Sequence, residues 1–411
     1  MRRIARLALL VPVVLSVAIT ASARQSAKFE DVVRNLRNPD PKIRISAVRL
    51  LREAGYSEAI TPIAALVTDP INEIQLEAID AELAFYLVEP IPSKRRVAFL
   101  LEKRASGGAV AAFEAGSLAV WPKPVPAELV DGLLTAVDDE NSRVRSEAIY
   151  ALGVIARPPL ADAAAGRLIK ALDHYDPAIR AGAARVVGRL HVTSAGDSLL
   201  KAVNDSNPAV RYASLRALGE IHEERAIQAL TEQLNYYGKG EGAAAAIEAL
   251  SQIASPSSLG VFKAHLSDKD PYIRKAAVEG LARAGDAAAI EPFVTSSNMD
   301  DERMVRAAMT YALYKKGHPN ALGRLIDFLN TDAVAQQVQG YLLEFGQPVA
   351  AKVVPRLQEA DETVKRHLAT VLGAIGDQAT VAALTPLKDD RDREVAAAAT
   401  HAIERIKMTR K

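Results

Sequence analysis

An acid, a proline and an arginine at fixed spacing are the first residues that suggest chemistry: Asp270, Pro271 and Arg274 in DPYIRKAAVEGLARAG (270–285). A carboxylate held beside a guanidinium can pair with it, bind a ligand or take part in proton transfer. The phrase returns as DPKIRISAVRLLREAG (40–55), DPAIRAGAARVVGRLH (176–191) and, without the Asp, NPAVRYASLRALGEIH (207–222). A group repeated along a chain is scaffold before it is a single active site.

Other constellations are thinner. The chain has no cysteine, which removes disulfides, thiolate metal sites, iron–sulfur clusters and thiol nucleophiles. His191 and His222 occupy the same place in consecutive phrases, but spacing supplies no third ligand, and a helix C-terminus favours His through its dipole. No metal or cofactor is therefore expected. The stretch NYYGKGEGAAAA (235–246) can offer backbone N–H groups to an anion, although its spacing is not that of a phosphate loop; a flexible glycine turn is the plainer reading. WPKPVP (121–126) reads as an extended connector, with Trp121 plugging the neighbouring helix pair. No Ser-His-Asp order or carboxylate pair stands out, and no catalytic residue is assigned.

The elements that must position these residues emerge when each Arg of the phrase is set as zero. Zero positions fall at Arg44, Gln75, Arg145, Arg180, Arg211, Ala243, Arg274, Arg306, Ala335, Lys365 and Ala396, 29 to 35 residues apart from Arg145 onward. Position +3 is small or apolar, and position +7 is apolar except at Glu82. The gap from Gln75 to Arg145 leaves room for a degenerate repeat at about 91–119, giving about twelve. Each repeat reads as two helices with one apolar stripe apiece, which only stacking can bury. A Pro just inside a helix start is tolerated, and Asp40, Asp69, Asp176 and Asp270 before it can cap free N–H groups.

Residues 1–23 read as an export signal: Arg2, Arg3 and Arg6, an apolar run Leu7 to Ile19, and Ala21-Ser22-Ala23 as cleavage site. The apolar run is too short to span a bilayer comfortably, so no stable membrane span is expected after cleavage, an uncleaved anchor being the alternative. Removing three arginines takes 51 basic against 50 acidic residues to 48 against 50, a net charge of −2. That balance disfavours nucleic acid as a partner.

The pattern Asp-Pro-x-x-Arg-x-x-Ala-x-x-x-Leu resembles the short HEAT repeat of bacteria, of the type seen in phycobilin lyases, over about residues 28–408. The resemblance implies an all-α, right-handed α-solenoid (superhelix) of about twelve stacked HEAT-like helix pairs, one domain over 24–411. It also implies that Arg44, Arg145, Arg180, Arg211, Arg274 and Arg306 form a ladder of hydrogen bonds with acids of their own or the preceding repeat's turn, such as Asp173, Asp205, Asp268 and Asp300. In such arrays second helices line the concave surface, so rows +1 and +5 would face a ligand. Among HEAT-repeat enzymes, deoxyhypusine hydroxylase uses four His-Glu pairs, whereas this chain has only His222-Glu223. An export signal argues against an intracellular lyase, and mixed charge against a DNA glycosylase.

The candidate binding strip is Tyr150, Arg185, Tyr212, Arg216, Glu248, Lys275, Glu279 and Tyr311, because Tyr and Arg most often anchor protein interfaces. An ordinary solvated helix face is the alternative. The resulting expectation is a non-catalytic scaffold, exported and periplasmic or secreted, that holds another protein or an extended peptide. A lyase-like module acting on a pigment or modified protein is the alternative.

Overall fold

A computed structural model describes residues 29–89, 108–291 and 300–409, and within them the chain is all-α apart from one antiparallel bridge between Leu87 and Val120. The expected export signal (1–23), and residues 91–107 of the expected degenerate repeat, lie outside the described residues.

Among the described residues eleven second helices follow one another: Pro41–Ala54, Asn72–Tyr86, Ser142–Ile155, Pro177–Arg189, Pro208–Glu220, Gly240–Ile253, Pro271–Arg283, Arg303–Lys315, Asp332–Phe345, Glu362–Ile375 and Arg393–Met408. Each carries one zero position and packs on the next. Their +3 and +7 residues lie in one continuous core, as at Ala148, Leu152, Ala183, Val187, Ala277 and Leu281. Glycines at +8 set how closely consecutive helices approach. A Cβ on Gly219 would come 2.6 Å from the Cα of Ala249, and one on Gly188 would come 2.9 Å from that of Ala217.

Local chemistry starts and stops these helices. Asp40, Asp176, Asn207 and Asp270 each accept a hydrogen bond from the backbone N–H two residues on, a cap worth about 1 kcal/mol. His191 and His222 take left-handed conformations, φ +48° and +53°, at the place where Gly285 and Gly317 end other second helices at +87° and +93°. They are helix terminators, each in a conformation that usually calls for glycine.

The arginine ladder runs forward along the chain. Arg180 donates Nε and Nη2 to Asp205 at 2.7 and 2.8 Å, and Nη1 to the carbonyls of His174 and Tyr175 in its own turn. Arg44 reaches Asp69 and Arg274 reaches Asp300 in the same way. The acid therefore belongs to the following repeat, not to the Arg's own or the preceding one. Bidentate pairing fixes register between neighbours, and it holds the Asp205 carboxyl below the usual carboxylate range. The other rungs differ. Arg211 donates to the Tyr237 hydroxyl at 2.7 Å because NYYGKG supplies no Asp, Arg145 reaches the Tyr175 hydroxyl at 3.3 Å, and Arg306 binds the carbonyls of Asp300 and Asp301. What every rung keeps is closure of its own turn.

Residues 108–121 do not stack as a helix pair. Asn72–Tyr86 packs directly on Ser142–Ile155, while the short helix Gly108–Glu114 and the turn Ser117–Ala119 lie against second helices instead. Trp121 N–H donates to the Tyr86 carbonyl at 2.7 Å, and Val88 N–H to that of Ala119 at 2.9 Å. WPKPVP follows as irregular backbone.

Candidate binding surface

Curvature brings second helices two repeats apart into contact, which identifies them as the inner face. Arg283 Nε lies 3.1 Å from the Glu344 carboxylate, and the Tyr341 hydroxyl donates to Glu279. In each case the two residues are two repeats apart.

At the third and fourth repeats this face is covered by the chain itself. Phe113 meets Tyr150 edge-on with centroids 5.4 Å apart, the Arg189 guanidinium stands 4.8 Å from the Phe113 ring, and Arg189 donates to the Phe113 carbonyl at 2.9 Å. Gly153 makes the seat possible, since a Cβ there would lie 2.8 Å from the Phe113 ring. Arg185 faces Glu114 at 3.7 Å. The start of the short helix is tied down where Ala109 N–H donates to Glu147 at 3.1 Å, a carboxyl that burial pushes up. Tyr150 is thus buried rather than presented to a ligand.

The covering segment also meets the end of the array. Arg405 donates to the carbonyls of Ser117, Leu118 and Val120 at 3.2, 3.2 and 2.8 Å, and Trp121 sits edge-on to His401 with centroids 5.6 Å apart. Trp121, expected to plug the neighbouring helix pair, is seated against the last repeat instead.

The fifth to seventh repeats keep an open floor. Tyr212 leads by edge-on contacts through Tyr237 to Tyr236, which is 80 % exposed on the rim. Arg216 lies 3.4 Å from Glu248 and 3.3 Å from Glu241, and Lys275 lies 3.5 Å from Glu248 and 3.6 Å from Glu279. Burial alone would lower the Lys275 ammonium, but Glu279 and Glu248 outweigh it and hold it above its usual value. A hollow of about 260 Å³ opens here, lined in part by Glu248, Lys275, Glu279, Arg283 and Tyr341, with room for about one side chain.

Toward the eighth and ninth repeats the floor closes. Glu279 and Tyr311 are buried and so correct the expectation that they face a ligand. Tyr311 stacks on Tyr341 with centroids 4.3 Å apart and donates to Glu344, while burial raises both hydroxyls. Burial would raise the Glu344 carboxyl too, but Arg283 and its other partners bring it below its ordinary value.

Of the sequence-derived strip, Arg185, Tyr212, Arg216, Glu248 and Lys275 remain at least partly accessible. Rows +1 and +5 omit the residues that organise the face, which stand one turn on at +9: Arg189, Glu220, Arg283, Glu344 and Arg405. Charge of both signs in that row, which also holds Gln252, Lys315 and Ala374, was the available signal. Glu220 fills the space left by Gly188, and burial, opposed by Arg189, pushes its carboxyl up to about 7. Among the described residues no group of three or more potential ligands is placed to hold a metal ion, and no helix is long and apolar enough to cross a membrane.

Stacked helix pairs with an inner face of second helices define an α-solenoid. A family model described as HEAT repeats matches residues 165–236 and 239–314, so the repeats within that stretch are HEAT-like. Compared with curated proteins, the sequence finds no match. Among solved structures the chain is similar to an engineered protein from a structural genomics consortium, at 22 % identity over 92 % of this chain and 98 % of that one, TM-score 0.42. It is also similar to a chain in the complex of CpcE and CpcF of phycocyanin lyase from a Nostoc species, at 18 % identity over 76 % and 97 %, TM-score 0.34.

Proposed function

We propose that the protein is a non-catalytic scaffold that holds an extended segment of a partner polypeptide on the inner face of its fifth to seventh repeats. The supporting observation is the open floor itself. Tyr212, Arg216 and Glu248 project from neighbouring helices, with Arg216 and Glu248 side chains 37 % and 33 % exposed and, among the described residues, paired with each other and close neighbours. Part-exposed pairs of this kind exchange partners at little cost, and Tyr and Arg are the residues that most often dominate such interfaces. Mixed charge suits a polypeptide rather than a polyphosphate backbone. The setting we propose is the bacterial envelope, resting on residues 1–23.

Capture from native envelope extract with residues 24–411 as bait tests this, run beside the Tyr212→Ala, Arg216→Glu variant. A partner held by the native chain and at least about tenfold weaker on the variant is expected. Equal retention on both sinks the assignment to this face.

A further inference from the structure

We infer that the inner surface of the third and fourth repeats is a recognition site for a short aromatic and acidic peptide segment, and that residues 108–121 are its displaceable occupant. A partner segment of the same chemistry would bind by exchange. This deepens the scaffold reading by naming a second site and the chemistry it takes.

The site is built for that chemistry. Tyr150 and the Arg189 guanidinium form two sides of a seat for one aromatic ring, and Gly153 leaves the space for it. Arg185 faces the acid one residue further along. The rest of the polar grip reads main chain, Arg189 taking the Phe113 carbonyl, Arg405 three carbonyls between Ser117 and Val120 and Glu147 the Ala109 N–H, while the buried Ala109, Ala112, Val120 and Trp121 add apolar contact. Any segment with a ring, an adjacent carboxylate and an extended stretch after them offers the same groups.

Two features of the present occupant favour exchange. Its helix is seven residues long, too short to persist without its contacts. Its ion pair joins side chains 44 % and 61 % exposed, a geometry that contributes little. On its C-terminal side the irregular stretch Pro122–Pro126 separates it from the next helix, Ala127–Ala136, so no stacked helix runs directly out of it. Because the occupant competes in cis, an added segment binds the native chain with an affinity reduced by the fraction of chains whose site is open.

The test uses a fluorescein-labelled peptide of residues 108–121 and the chain from 24 to 411. Anisotropy titrations compare the native protein with the Phe113→Ala, Glu114→Ala variant, whose own segment fits poorly, and with that variant carrying Arg189→Ala. The expected result is binding at least about tenfold tighter to the emptied variant than to the native chain, lost again with Arg189→Ala. A peptide carrying Phe113→Ala should fail to compete. Should the emptied variant not fold by circular dichroism, the milder Phe113→Leu variant, which loosens the occupant and leaves Arg185, Arg189 and Arg405 of the site in place, is expected to gain affinity several-fold. Equal affinity for native and loosened chains, or no binding to a folded loosened chain, overturns the inference. Either outcome is separate from the capture experiment, which reads the fifth to seventh repeats and leaves residues 108–121 untouched.

Discussion

The inner faces of the third and fourth repeats and of the fifth to seventh repeats present the same kinds of side chain from their second helices, a Tyr and an Arg, yet one is filled and the other open. Tyr150 and Arg185 meet Phe113 and Glu114 of their own chain, whereas among the described residues Tyr212 and Arg216 meet side chains of neighbouring helices. Helix periodicity decides which way a side chain points. What arrives to cover it is decided by a segment that has no period.

The contrast can be broken from the filled side first. Gly153→Ala would push a Cβ to 2.8 Å from both Phe113 and Val186, and overpacking of this kind costs about 2 kcal/mol. A lower midpoint in urea and faster exchange of the Ala109 and Trp121 amides are expected; an unchanged midpoint would mean that Phe113 is not seated there. Glu82→Leu should act in the opposite direction. Glu82 is fully buried, both its oxygens lack a partner among the described residues, and burial holds its carboxyl well above the ordinary range. Leu fills the same position in most other repeats, so the variant should gain about 1 to 2 kcal/mol, read as a higher melting temperature.

Glu220, at the border of the two regions, sharpens the comparison through pH. Its folded value of about 7 lies above the ordinary 4.5. Between those values the folded chain holds a proton that the unfolded chain has released, so its contribution to stability is complete below 4.5 and is lost as pH rises to 7. Glu220→Gln should flatten that part of the stability profile, and an unaltered slope would contradict the burial of this carboxyl. The smallest effect belongs to the ninth repeat, outside both regions. Gly340 lies in a helix with nothing within 4 Å of a Cβ, so Gly340→Ala should stabilise by about 0.5 to 1 kcal/mol in the same urea experiment.

The helix pairs, their caps and the left-handed endings at His191 and His222 were legible in the sequence, because each follows from spacing and local chemistry alone. The arginine positions were equally legible, but not the direction of the ladder: Asp205 is equally a turn acid for its own repeat and a partner for Arg180, and only stacking geometry decides between them. The strip at +5 was read without the +9 row. The loss of Tyr150, Glu279 and Tyr311 to burial came from tertiary contacts with Phe113 and Tyr341, distant in sequence. The long interval before Arg145 resembles a worn repeat because alanine-rich helical sequence looks alike whether it stacks or lies across a face.

The most direct measurement is the distance between the covering segment and the end of the array. The chain has no native cysteine, so spin labels at Ser117→Cys and Glu404→Cys report a single separation by double electron–electron resonance. Arg405 holding the Ser117 and Val120 carbonyls predicts one narrow distance below about 30 Å, since both labelled positions then lie within a few side chains of one another. Eight repeat steps of roughly 8 to 10 Å in an array whose ends do not meet would instead give more than about 60 Å, and that result would contradict an inner face closed by its own chain.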